Sequence, residues 1–200
     1  MKPLKTFAQV DAYTSPWSLG VKVRIALWMA VWGTLFRWSP RPLSGWRVML
    51  LRLFGCRVSG RPYVANSVRI RMPWQLVLED RACLGPDVEV YNLAPITLKA
   101  RSTIAQEVYL CAGTHDFSKR SCPLMVGEIV IHEDAFVCVR ALVLPGVEVG
   151  RGAIVGGAAV VTRDVPEWMV CAGNPCRPIK PRVFEGRDEP AVTTGGTVEA

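Results

Sequence analysis

The chain has 200 residues, half of them apolar and a fifth charged, and carries a formal net charge of +7. That is enough for one domain with a real core, and it is too apolar for a disordered chain. The charge favours anionic partners, but no run alternates Lys or Arg with aromatic residues, which places nucleic acid last among them. Seven cysteines are scattered with no CxxC pair. Without a recognisable secretion signal, this pattern predicts a reduced, cytoplasmic protein with buried thiols. Cys171 and Cys176 are close in sequence, yet no histidine lies near them, so no zinc site is expected.

Residues 1–56 read as an N-terminal amphipathic helical segment. Trp17 to Trp38 is rich in Leu, Ile, Val, Ala, Trp and Met, and Lys22 and Arg24 interrupt it. Its uninterrupted apolar part, Ile25 to Phe36, is too short to span a bilayer. Trp46 to Phe54 is a second such stretch, broken by Arg47 and Arg52. The plainer reading packs both helices on the main domain or on a neighbouring subunit. The sharper one is peripheral attachment to the inner face of a membrane.

Residues 57–166 carry a period of six. An aliphatic residue recurs at Val58, Val64 and Ile70, then after a two-residue slip at Leu78, Leu84 and Val90, and after another at Leu98, Ile104 and Leu110. It resumes at Ile131, Val137, Val143, Val149, Val155 and Val161. Four places later the residue is small or β-branched in all hexads except those with Pro62 and Trp74. Three short strands of this kind make one triangular coil, with the aliphatic residue pointing into the prism. One coil cannot bury its own apolar face, so coils must stack to form a core. The spacing predicts about five coils of parallel β-helix. Gly85, Gly150 and Gly156 directly follow aliphatic positions, where a tight corner would call for glycine. An ordinary antiparallel sandwich would instead show turn clusters every 8–12 residues and no triplets of hexads.

The repeat stops at His115 and restarts at Ile131. Residues 116–130 must leave the prism as an excursion loop, and long ordered loops in compact domains tend to be functional. Residues 167–185 form a C-terminal closing segment. Residues 186–200 read as a disordered tail.

These features resemble the hexapeptide-repeat acyltransferases, over roughly residues 15 to 183. The residues that carry the resemblance are "LLRLFG" at 50–55, "VYNLAPITL" at 90–98, "YLCAGTHD" at 109–116, "VLPGVEVGRGAIVGGAAVVTRDVP" at 143–166 and "AGNPCRPIK" at 172–180. Within that group the chain looks like the exopolysaccharide O-acetyltransferases of the colanic-acid-biosynthesis type. It is more distantly similar to the galactoside, maltose and nodulation-factor acetyltransferases. The resemblance implies a left-handed helix, acetyl-CoA as donor, a sugar hydroxyl as acceptor, and a homotrimer whose active sites are shared between subunits. It implies His115 as general base and Asn92 as a residue that holds the acceptor. It places coenzyme A against Val139, Gly157, Thr162 and Arg163, with Arg177 and Lys180 in the closing motif. Where relatives carry Trp-Ile-Gly, this chain has Phe136, Val137 and Cys138, so Phe136 keeps the aromatic at the acceptor side and the glycine is lost.

The chemistry agrees. A thioester is already activated, and the attacking hydroxyl must lose its proton. A histidine suits this at neutral pH, with no metal and no covalent serine. Of the two histidines, His115 ends a coil beside the excursion, whereas His132 opens the next coil and reads as structural. Asp116 could orient the His115 ring, bond the acceptor, or cap the turn. Arg163, Arg177, Lys180 and Arg182 suit a polyanionic cofactor. β-Helix carbonic anhydrases share the fold, but their zinc needs three histidines. The other readings are an acetyltransferase of a small free acceptor (oligosaccharide, amino sugar or antibiotic) and a non-catalytic scaffold of a glycan-assembly complex.

Overall fold

The computed structural model describes residues 3–9, 11 and 14–183, so the expected tail at 186–200 lies outside the described residues. A parallel β-helix occupies most of the chain. Three sheets form the faces of a prism, and the hexad positions are partners in register. On the first face Val58, Leu78, Leu98, Ile131 and Val149 are stacked. On the second Val64, Leu84, Ile104, Val137, Val155 and Cys171 are stacked. On the third Ile70, Val90, Leu110, Val143 and Val161 are stacked. All these residues except Val58 are at most 2% exposed; the three columns form the core together with buried corner residues and, on the first face, a second column of Leu76, Ile96 and Ile129. Coils repeat at the ordinary strand spacing of about 4.8 Å. Five full coils are followed by a sixth, partial turn, because Val165 bridges to Val149 and Met169–Ala172 adds to the second face. The closing strand Arg177–Pro181 then folds back antiparallel on it.

The glycine expectation needs a different reason. The corners place residues such as Arg81, Asp87, Arg101, Glu107, Asp134 and Arg140 in the left-handed region, three places after each inward residue. Gly85, Gly150 and Gly156 do not adopt that conformation. They are required by close approach between coils: a Cβ on Gly150 would lie 2.6 Å from the Glu167 nitrogen, and one on Gly85 would lie 2.9 Å from the Ile104 oxygen. Corner residues on successive coils pair instead through their charges, Arg101 with Asp134 and Glu107 with Arg140, both at 2.7 Å.

At the N-terminal end, α1 (Leu19–Val31) continues through a π turn (Trp32–Phe36), and α2 (Ser44–Leu53) follows. Ser18 caps α1 by accepting from the Val21 N–H. The row Val21, Ile25, Trp28, Trp32 and Phe36 packs on the core. The opposite row, with Leu19, Val23 and Leu27, is exposed and also apolar. α1 is therefore apolar on both sides, where an amphipathic helix was expected. The continuous run Leu19–Phe36 has 18 residues and is long and apolar enough by length and composition to cross a membrane. The sequence reading shortened it by breaking it at Lys22 and Arg24. Two indoles tie this run along the first coil: Trp28 Nε1 donates to the Ile70 carbonyl at 2.6 Å and Trp32 Nε1 to that of Val68 at 2.8 Å. Arg47 of α2 is fully buried. It donates to the carbonyls of Val64, Pro40 and Arg41 and to Ser39 Oγ.

The segment 1–56 also contains a strand. Lys5–Thr6 pairs antiparallel with Leu124–Val126, so the chain's beginning reaches the excursion far along the prism.

Arg47→Ala leaves three carbonyls without their donor and opens a cavity. It is expected to cost about 3 kcal/mol or more in equilibrium denaturation. Burial pushes the Cys56 thiol up to about 12. The unfolded chain ionises this thiol at its ordinary, lower pKa, so stability is expected to fall as pH rises from about 9 toward 12. Cys56→Ser should flatten that fall in alkaline melting curves.

Candidate active site

His115 stands at the edge where the third face turns toward the first. The strand Tyr109–Cys111 ends the third coil, and the chain leaves the prism at Gly113. The excursion at 116–130 is a β-hairpin more than a loop. Gly113–His115 pairs antiparallel with Leu124–Val126, and the prism resumes at Ile129. The gap in the repeat marked the departure, while the hairpin's strands are too short to show in a period.

The His115 ring is exposed, and its Nδ1 lies 2.7 Å from the Cys122 carbonyl oxygen. A carbonyl only accepts, so Nδ1 carries the proton and the Nε2 lone pair is left for a substrate. Asp116 does not touch this ring. Its carboxylate accepts from the Ser118 N–H and hydroxyl and pairs with Lys119 at 3.3 Å. The Ser118 hydroxyl bond, followed by that of the Ser118 N–H, holds the Asp116 carboxyl below its ordinary range. Of the three roles open to Asp116, the geometry matches the turn cap. That turn carries the Cys122 carbonyl, so Asp116 supports the histidine indirectly. His132 bonds Glu148 at 2.9 Å on the first face, away from the hairpin.

Asn92 meets a different geometry from the one expected. It is fully buried, accepts from the Met72 N–H at 2.9 Å and donates to the Met72 carbonyl at 2.7 Å. Its amide closes the corner of the coil below and is shut off from solvent.

The expected coenzyme residues border the upper third face. Val139 and Gly157 stack on the edge between the second and third faces, where the Ala158 N–H donates to the Val139 carbonyl at 2.9 Å. Ala172, the register partner of Arg177, covers Gly156 on that same edge. Thr162 and Arg163 sit on the other edge of the face, the one His115 leaves two coils below. Lys180 pairs with Val170 on the second face. Phe136 is on the second face as well, between Thr103 and Ile154. One chain therefore gathers Val139, Gly157, Thr162, Arg163 and Arg177 around the third face but leaves Phe136 and Lys180 off it. Arg182 is elsewhere, donating to the Asp134 and Gly152 carbonyls.

Sequence reasoning missed two features. Phe117, in the hairpin turn, is 80% exposed, and its ring lies 6.4 Å from that of His115. Tyr91 and Tyr109 lie against each other on the third face, 6.2 Å apart. An aromatic residue in a polar loop was the available signal for Phe117. Among the described residues no group of three or more His, Cys, Asp or Glu side chains could hold a metal ion.

No family model matches the chain. A protein of Escherichia coli assigned as the colanic acid biosynthesis acetyltransferase WcaF is 41% identical over 164 residues, covering 82% of this chain and 90% of its own. A hexapeptide-repeat acetyltransferase of Vibrio cholerae, solved with acetyl coenzyme A, superposes with a TM-score of 0.77 at 18% identity, covering 86% of this chain and 94% of that one. A galactoside acetyltransferase solved with coenzyme A gives 0.71 at 17% identity, covering 87% and 90%. The fold is the left-handed parallel β-helix of such enzymes. The chain belongs to the hexapeptide-repeat acetyltransferase family.

Asp116→Ala should loosen the turn that presents the Cys122 carbonyl. The expected result is a fall in kcat of up to about 100-fold, with binding of the donor unchanged by calorimetry. Loss of donor binding instead would give Asp116 a direct role.

Proposed function

We propose that the protein transfers an acetyl group from acetyl-CoA to a sugar hydroxyl during exopolysaccharide assembly, with His115 as general base. The observation that carries this reading is the 2.7 Å contact between His115 Nδ1 and the Cys122 carbonyl oxygen. With Nδ1–H held by the Cys122 carbonyl, Nε2 faces outward as an acceptor beside an exposed aromatic ring. The likeness to WcaF across 82% of the chain supports a glycan acceptor.

In the proposed reaction, Nε2 takes the proton of the acceptor hydroxyl as its oxygen attacks the thioester carbonyl carbon. The tetrahedral intermediate places negative charge on the carbonyl oxygen, which needs nearby N–H donors. The C–S bond then breaks, the acetyl ester remains on the sugar, and the imidazolium returns the proton to the coenzyme A sulfur. Asp116 keeps the turn, and the turn keeps the ring. Arg163 and Arg177 are exposed at the two edges of the third face, where guanidinium groups suit coenzyme phosphates. Phe117 offers a face on which a sugar ring can lie.

The proposed assembly is a homotrimer with shared sites. His115 and Phe136 lie on different parts of one prism, and a site that used both would take the second face of one copy and the hairpin edge of another. Acetyl-CoA is made inside the cell, which places the reaction in the cytoplasm.

Thiol release from acetyl-CoA in the presence of host glycan extract is expected for the protein and not for His115→Ala. General-base catalysis is worth ~10²–10⁴-fold, so the loss in kcat/KM should fall in that range. A protein that binds no coenzyme A and releases no thiol would be a scaffold. Phe117→Ala should raise KM for the acceptor and leave KM for acetyl-CoA in place.

A further inference from the structure

The N-terminal end of the prism has a surface that acetyl transfer does not use. Along α1, Leu19, Val23 and Leu27 are 77%, 50% and 58% exposed. Their spacing of four puts them on one side, opposite the buried Trp28. At the end of the helical run Leu35 and Trp38 are exposed. Trp46 of α2 donates its indole N–H to the Leu35 carbonyl at 3.0 Å, which continues the apolar surface onto α2 through Met49 and Leu53. An apolar surface of this extent on an isolated chain marks a contact with something else.

Charge identifies the partner. Residues 12–78 contain ten Lys or Arg and no Asp or Glu. The rest of the chain is therefore net negative, since the total is +7. The cations are segregated to the end that bears α1 and α2. Between α1 and the first coil lies a cleft of about 290 Å³ lined by Met29, Trp32, Arg37, Arg69, Arg71 and Glu89. The Arg37 guanidinium stacks near the Trp32 and Trp38 rings, at 5.4 and 6.0 Å, and so sits where the apolar surface meets the cleft. Leucines and tryptophans beside three arginines that face a single carboxylate, Glu89 at 3.8 Å from Arg69, match the interfacial zone of an anionic bilayer. A nucleic acid would satisfy the arginines and leave the leucines in water. A second copy docked through the same end would cover the leucines but, with no Asp or Glu in residues 12–78, would bring no carboxylate to the arginines.

We infer that the α1–α2 end docks on an anionic phospholipid bilayer, with the exposed row of α1 entering the interface and the Arg37–Arg69–Arg71 cleft facing a lipid phosphate. The indole bonds of Trp28 and Trp32 hold α1 against the prism, so the helix lies in the interface plane. This inference stands whether or not the acetyl acceptor is a glycan.

The test is flotation of the full-length protein with phosphatidylcholine vesicles, with and without phosphatidylglycerol. Binding to the anionic vesicles alone is expected, weakening as salt rises. Arg37→Gln and Arg71→Gln should each lower the affinity about fivefold. Leu27→Glu should abolish flotation while far-UV circular dichroism and oligomeric mass stay unchanged. Absence of flotation by the folded protein overturns the inference. So does a Leu27→Glu variant whose oligomeric mass changes while vesicle binding persists, because the face would then lie between copies. Equal binding to duplex DNA by the protein and Leu27→Glu, without flotation, would assign the charge to nucleic acid.

Discussion

Every feature of this molecule depends on aliphatic residues stacked in register down three columns. A single coil exposes its apolar side above and below and cannot exist alone. Burial of Val137, for instance, is completed only by Ile104 beneath it and Val155 above it. The core is therefore continuous along the axis, and stability is shared between neighbouring coils. Such a stack resists shear poorly at its ends. Both ends are accordingly closed: α2 and its buried Arg47 cover the first coil, and the strand Arg177–Pro181 covers the last.

The same constraint explains what could be read from sequence. The column residues recur because each must fill the same space, so their period was plain, and the register on all three faces follows it. Corner chemistry was half legible. Glycines were visible at positions 85, 150 and 156, but the sequence suggested a turn conformation and the structure shows crowding between coils. Left-handed corners fall instead on residues such as Arg101 and Asp134, whose side chains reach across coils to each other. No local signal marks them, because the cost of that conformation is offset by stacking that only the assembled helix supplies. The Lys5–Thr6 strand was illegible for a related reason. Two residues carry no period, and their partner lies far along the chain.

The candidate site shows a sharper division. His115 was legible because it ends a coil beside the one long interruption of the repeat. What holds its ring was not legible, since its partner is a backbone carbonyl at Cys122, and every residue has one. Asp116 and Asn92 illustrate the converse. Both sit in family motifs and both have polar side chains, yet the structure engages them with Ser118, Lys119 and Met72. A motif marks that a position is constrained without saying whether the constraint is chemical or architectural. Here hydrogen-bond partners and burial show what each side chain does within one chain: the Asn92 amide braces a coil corner from inside the core.

A stacked prism also separates tasks along its axis. Each coil contacts only its neighbours, so one end can be rebuilt without disturbing the other. The hairpin leaves at the third coil and is braced by the Lys5–Thr6 strand, a segment that precedes the apolar helices in the chain. That strand ties the histidine-bearing hairpin to the cationic, apolar end, although the two lie two coils apart. If the N-terminal end is fixed to a surface, stacking sets the axial separation of the first coil from the third, about two coil spacings or 10 Å, and the hairpin keeps that separation because both belong to one continuous core.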